Sequence, residues 1–354
     1  MASKVFFART GDNPSPQELA SAAGKVFVAA RAGDRIEPGE YVAIKVHVGD
    51  VNNTTALPPQ VAAALVSLVK DRKALPFITE TATLYRGERE NAVKHIMHAV
   101  SRGFSIESVG APFIMADGLA GDSEIEVEID GELNRSVLIA REARMADFLL
   151  VVSHMTGHIA TGFGCTLKNL GMGLASRKGK LRQHSSMSPE IIEDKCVFCQ
   201  KCMEWCPVNA ITGRREIAFI DREKCVGCGQ CLAVCRFGAV KFNWGRESGQ
   251  IQKDIAEHAL GAVKGKKAFY VNVLAGMTSD CDCFTVDQKK IIPDVGVLGS
   301  YDPVAIDHAS IDLTRQPDGR NLAGMSYPAL DELAQLAHGE KIGLGSREYQ
   351  VEEV

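Results

Sequence analysis

Eight cysteines between Cys196 and Cys235 offer the most sharply defined chemistry in this chain. The segment reads CVFCQKCMEWCP and, further on, CVGCGQCLAVC. Cys196, Cys199, Cys202 and Cys206 are spaced x2, x2, x3, and Cys225, Cys228, Cys231 and Cys235 repeat that spacing 29 residues later. Such a run holds [4Fe–4S] clusters: three thiolates on a tight loop grip three corners of a cube, and the fourth reaches the other cube. The spacing therefore assigns Cys196, Cys199, Cys202 and Cys235 to one cluster and Cys206, Cys225, Cys228 and Cys231 to the second. Zinc sites use four ligands in two separated pairs, and disulfides call for an export signal that MASKVFFART does not resemble. Both alternatives fit less well.

A second set of reactive side chains lies outside that run. His47, Glu80 and His154 stand at the ends of apolar stretches that read as strands, and His158 follows His154 four residues on. In open α/β sheets, sites gather beyond the carboxyl ends of the strands, so these groups are expected on one rim. In SHMTGHIATGFGCTLKNLGMG, a helix is expected to open near Thr166, with free N–H groups suited to an anion. Lys168 would stand in its first turn, where a cation opposes the helix dipole. It is read either as a group facing a bound anion or as a solvated lysine. His158 is read as functional or as a loop hydrogen-bonder, and His154 as a site residue or a support for the loop. Cys165 reads as a small buried side chain. His184, after Lys180 and Arg182, is the candidate group between clusters and substrate; the two basic residues could equally face solvent.

The run TSDCDCF (278–284) is distinctive too. In a turn, Cys281 and Cys283 can both reach one metal, and His154 is the candidate third ligand. Thiolates suit iron, nickel or zinc, so a third metal centre of iron or nickel is expected there. A redox-active thiol pair has less support, because C-x-C is not the helix-borne C-x-x-C; an inert loop is the remaining reading. His95 and His98 are expected as partly exposed helix residues, and Asp302 before Pro303 as an N-cap. Asp307 and His308 are weaker site candidates.

Strands are expected at 4–8, 40–48, 74–81, 104–109, 125–129, 146–154, 266–274 and 295–300, and helices at 16–30, 59–70, 89–102, 135–145, 249–264, 303–313 and 328–337. Continuous apolar strands alternating with helices argue for a mostly parallel α/β sheet. The fold class expected is α/β, a mostly parallel sheet body with an inserted bacterial dicluster ferredoxin-like α+β module. The boundaries are 1–188 for the first part of the body, 189–242 for the module and 243–354 for the second part. Two α/β domains bridged by the module are the alternative. At 354 residues, 45% hydrophobic and 24% charged with net charge −4, the chain is of ordinary globular composition. No basic run favours nucleic acid, and no apolar run approaches the ~18 residues that span a bilayer. Cysteine ligands in such a chain fit a reducing, cytoplasmic setting.

The stretches KVHVGDVNNTT, PFITETATLYRG and SHMTGHIATGFGCTLKNLGMGLASRKGK, the eight cysteines, and DCDC followed by SYDPVAIDHASIDL resemble the iron–sulfur family called domain of unknown function 362. The resemblance implies an α/β body with an inserted ferredoxin-type module and no settled activity. The chain has Ala82 where the family pattern leads one to expect an amide. More distantly, His158, Lys168 and His184 match the spacing of the acid/base, pincer-bearing lysine and nickel ligand of nickel-pincer lactate racemases. That likeness implies a shared pocket location. The functional expectation is an oxidoreductase fed by a redox donor such as a ferredoxin. Its two clusters pass electrons to a site lined by His47, His154, His158, Lys168, Cys281 and Cys283, with His158 and His184 as acid/base groups and a small anionic substrate. An electron-transfer protein without its own substrate and a metal or cofactor maturation protein are the alternatives.

Overall fold

The structure, a computed structural model, describes residues 2–184, 189–225, 227, 229–241 and 247–354. The expected cluster ligand Cys228 lies outside these residues, and so do Ser188 before the expected start of the module and Phe242 at its expected end. In chain order the strands are β1 (Ser3–Arg9), β2 (Tyr41–Lys45), β3 (Leu75–Glu80), β4 (Phe113–Met115), the hairpin β5 (Glu124–Glu128) and β6 (Ser136–Ala140), and β7 (Phe148–His154). There follow β8 (Thr156–His158), β9 (Gly162–Gly164), the short β10 (Glu190–Ile191), β11 (Ile211–Arg214), β12 (Ile217–Ile220) and β13 (Val240–Lys241), then β14 (Lys267–Leu274), β15 (Gly296–Ser300) and β16 (Tyr349–Glu353).

One eight-stranded sheet runs β16-β1-β15-β14-β7-β2-β3-β4. It is mostly parallel; only β15 opposes its neighbours β1 and β14. The parallel β7–β14 pair joins chain from before and after the cysteine-rich segment, so both flanks build one sheet. All seven residues of FLLVVSH in β7 are buried, as a central parallel strand covered on both faces demands. Side chains alternate between those faces. Leu149 and Val151 enter a core with Leu167, Leu170 and Ala305, whereas Leu150 and Val152 enter one with Val26, Val61 and Leu65. Helices therefore cover both sides. The helix Pro16–Ala29 begins with a Ser15/Glu18 capping box and Pro16 in its first turn. Asp302 caps Pro303–Leu313, accepting from the Val304 and Ala305 N–H groups at 2.9 Å, as expected.

Four sequence expectations are corrected. Residues 104–109 form no strand: Ile106–Val109 is a helical turn, capped by Ser105 and closed by left-handed Gly110, and the strand comes later, at β4. A short apolar run does not separate strand from helix by periodicity. Residues 135–145 are not one helix but β6 and the short helix Arg141–Met145; pairing with EIEVE overrides the local pattern. The last helix is Ala334–Lys341, and β16 follows it and extends the sheet. His95 and His98 are buried at 0% and 7% exposure.

The cysteine-rich segment pairs β10 with β13 and β11 with β12. Its small core holds Cys202, Cys231, Cys235, Ile211 and Ile220. Two short helices, Lys201–Glu204 and Gln230–Val234, follow positive-φ residues. The 29-residue repeat of the cysteines recurs in the backbone: Phe198 and Gln200 have φ of 49° and 63°, and Gly227 and Gly229 have 65° and 72°. Glycine takes that conformation freely, whereas Phe198 and Gln200 must be held in it. Among the described residues no helix is long and apolar enough to cross a membrane.

Candidate functional site

The carboxyl ends of β2, β3 and β7 open into a cleft of about 650 Å³. His47 enters it two residues beyond β2, Glu80 ends β3, and His154 ends β7. His158, Lys168, His184, Cys281 and Cys283 line the same cleft. Side chains from six separated stretches thus converge where a parallel sheet places its ligands.

The 278–284 run reaches the cleft by close backbone packing. The Gly157 N–H donates to Thr278 O at 2.9 Å, and a Cβ on Gly157 would stand 2.1 Å from Ser279 O. Only glycine permits this approach. The chain then turns, with the Phe284 N–H donating to Cys281 O at 3.0 Å. Asp282 locks the turn: its backbone O accepts from Asp50 N at 2.9 Å, and its carboxylate contacts His154 Nδ1 at 2.6 Å. His154 Nε2 lies 2.7 Å from Ala275 O. Both ring nitrogens of His154 therefore have protein partners, and ligating a metal would break one of these bonds. Burial lowers the pKa of His154, but the Asp282 carboxylate outweighs it and leaves the value raised. This is the loop-supporting geometry.

Lys168 Nζ lies 2.9 Å from Cys281 Sγ. The Cys283 thiol bonds to the same sulfur, and Lys168 and His47 add positive charge. Together they overcome burial and hold Cys281 well below the usual thiol range. Cys283 is pushed well above it, first by its bond to Cys281 and then by burial. The pair is best written as Cys281 thiolate and Cys283 thiol. Burial would lower Lys168, yet the two sulfurs raise it, so it remains an ammonium. The anion at the start of its helix, Thr166–Gly171, belongs to the protein. Asp307 accepts from the Thr166 and Leu167 N–H groups at 2.9 and 2.8 Å, which corrects the expectation of a bound anion there.

His158 is lowered to about 3, by burial first and then by Lys168 and His184. At neutral pH it is an uncharged imidazole and a weak base. His47 Nδ1 lies 3.6 Å from Glu80 Oε1. Burial would raise Glu80, but His47, Lys45 and His95 hold it well below the usual carboxylate range. Arg89, almost fully buried, bridges Glu80 at 3.4 Å and Asp50 at 3.3 Å, and contacts the Tyr85 hydroxyl.

Lys45, Tyr85 and Arg89 line the cleft without having been singled out from sequence. Lys45 has a signal in hindsight, a lone lysine in the buried strand YVAIK. It donates to Asn169 Oδ1 at 2.7 Å, and burial lowers it to about 8. Lys180, allowed above as a solvent-facing residue, is buried. Its Nζ donates to Ala82 O at 2.8 Å and Ala175 O at 2.9 Å, and burial brings it to about 7.

The cysteine-rich segment rests on the wall of this cleft. Gly229 packs on Arg177 and Leu181, in the helix Arg177–His184 whose last residue lines the cleft. Gln230 Nε2 donates to Asp122 at 2.7 Å, and Arg86 donates to Arg236 O at 3.0 Å. Among the described residues no three His, Cys, Asp or Glu side chains converge as a ready-made metal site. Backbone donors nonetheless face three of the sulfurs. Burial, then the charges of Cys196, Cys235 and Cys199, push the Cys202 thiol up to about 11. Backbone N–H groups of Ala218, Ala210 and Ala239 point at Cys196, Cys206 and Cys235 at 3.5, 3.2 and 3.3 Å.

The profile of a family described as Domain of unknown function (DUF362) matches residues 42–312. No curated protein matches the chain. Among solved structures, the lactate racemase apoprotein from Thermoanaerobacterium thermosaccharolyticum is similar at 12% identity and a TM-score of 0.39, covering 77% of this chain and 50% of that one. A protein from Thermotoga maritima is similar at 11% identity and a TM-score of 0.46, covering 90% of this chain and 60% of its own. The chain thus spans less than two thirds of either protein's length.

Proposed function

The chain belongs to the DUF362 family, and we propose that it is an iron–sulfur oxidoreductase acting on a small anionic substrate in the His/Lys/Cys-lined cleft. Cys196, Cys199, Cys202 and Cys235 would hold one [4Fe–4S] cluster and Cys206, Cys225, Cys228 and Cys231 the other; bound there, the clusters supply one-electron transfer. The observation that carries the reading is the seating of the second cysteine run on the helix that ends at His184. Cys199 is exposed on the other run, where a redox donor such as a ferredoxin could approach.

Within the cleft, Lys168 balances the Cys281 thiolate and offers charge to an anionic substrate. His158, uncharged at neutral pH, is placed to relay a substrate proton, and His184 is the second acid/base group of the cleft. His47, held by Glu80, orients the mouth of the site. Arg89 fixes Glu80 and Asp50 and so positions the rim.

Anaerobically purified protein should contain about eight iron and eight sulfide per chain. Small carboxylates and small anionic disulfides are then screened for re-oxidation of the dithionite-reduced protein, with His158→Ala and Lys168→Ala as controls. Sulfide-free protein would remove the iron–sulfur half of the reading. Turnover unchanged in both variants would remove the cleft.

A further inference from the structure

The C-x-C spacing argues against a thioredoxin-type pair, but the geometry around it supports a different kind. Cys281 Sγ has Lys168 Nζ at 2.9 Å and the Cys283 backbone N–H at 3.4 Å. Two residues span at most about 7 Å when extended, and the turn at Cys281–Phe284 shortens that span into the range a disulfide bridges. Cys283 is partly exposed while Cys281 is 3% exposed on the cleft wall. One sulfur is thus stabilised for attack, and a second thiol stands two residues on in the same turn, on the same cleft wall, to resolve the product. His154, held by Asp282, keeps the turn closed rather than completing a ligand set.

We propose that Cys281 and Cys283 form a redox dithiol that reduces a small anionic disulfide bound in the cleft. The Cys281 thiolate attacks one substrate sulfur, forming a mixed disulfide and breaking the substrate S–S bond. The departing thiolate takes the Cys283 proton. Cys283 then displaces the second substrate thiolate, closing a Cys281–Cys283 disulfide. Two electrons and one proton restore the Cys281 thiolate and Cys283 thiol. Those electrons come as two single transfers from an iron–sulfur donor, a resetting half that rests on the function proposed above; the exchange half does not. Lys168 and Lys45 on the cleft wall suit carboxylates on the substrate.

The test uses the anaerobically purified full chain and the dianionic disulfide dithiobis(nitrobenzoate). Wild-type protein should release about two thionitrobenzoates per chain in a fast phase, with iron and sulfide unchanged and a Cys281–Cys283 disulfide found by peptide mass. Cys283→Ser should release about one and retain a mixed disulfide on Cys281. Cys281→Ser should lose the fast phase. Lys168→Met should slow it about tenfold at neutral pH while Lys168→Arg largely retains it. A fast phase that persists in Cys281→Ser overturns the proposal. So does a stoichiometric metal that blocks both thiols and leaves with Cys281→Ser. Protein without sulfide but with the fast phase intact would reject the iron–sulfur reading alone.

Discussion

The cysteine-rich segment and the cleft are built by opposite means. In the segment, successive cysteines within each run lie three or four residues apart, the strands are two to four residues long, and a small core of aliphatic side chains and cysteines holds them. In the cleft, Lys168 meets Cys281 across 113 residues and His154 meets Asp282 across 128. The first arrangement is written in local spacing. The second exists only because β7 lies beside β2 and β14. Chemistry encoded locally can be moved as a unit, while chemistry encoded by a sheet depends on every strand that sets the register.

The largest expected effect tests that separation. Cys202→Ser or Cys235→Ser should remove about four of about eight cluster irons, while the main thermal transition of the sheet body is retained. A single transition that collapses in both variants would show that segment and body are not separable.

Arg89→Met attacks the opposite side of the comparison. It leaves Glu80 and Asp50 buried without their shared cation and should cost about 3–5 kcal/mol in denaturant unfolding. A loss below ~1 kcal/mol, as for a surface pair, would mean that the rim does not depend on this network.

Gly157→Ala should cost about 1–3 kcal/mol, because its methyl group would collide with Ser279 O. It should also slow the thiol reaction of Cys281 by displacing the turn. Normal stability together with normal thiol kinetics would show that β8 does not position the 278–284 run.

The smallest effect is a pH dependence. His158 is depressed to about 3 in the folded chain from the ordinary imidazole value of 6.5. Between those values the unfolded chain binds a proton that the folded chain does not, so stability rises with pH and is lost as pH falls through this window. The slope reaches about 1.4 kcal/mol per pH unit, and the loss from pH 7 to pH 5.5 is about 1 kcal/mol. His158→Gln should flatten that part of the profile. An unchanged slope would place the histidine in contact with solvent.

Much of the body was legible. Apolar runs marked β1, β2, β3, β7, β14 and β15, and proline with Asp302 marked Pro303–Leu313. β6 was not, because SVLIA becomes a strand only when EIEVE pairs with it. Nor was β16, a half-polar edge strand. At the site, His47, His154, His158, Lys168, His184, Cys281 and Cys283 were all marked by residue type and strand ends, and they share the cleft. Arg89 was missed because it read as the first residue of the helix expected at 89–102; the helix begins at Ala92, and only the fold encloses Arg89 between Glu80 and Asp50. Asp307 was set aside as weak because its role, capping Thr166–Gly171, spans 140 residues.

The residues of this chain mark, without their fold, which side chains could bind soft metals, where most strands of the large sheet run and that Asp302 caps a helix. Spacing, apolar runs and capping are short-range properties. Folding alone decides which sulfur is the thiolate, which histidine is neutral and which lysines are buried. Each outcome depends on desolvation and on charges a few ångströms away in space, and those neighbours are brought together by the register of β2, β7 and β14.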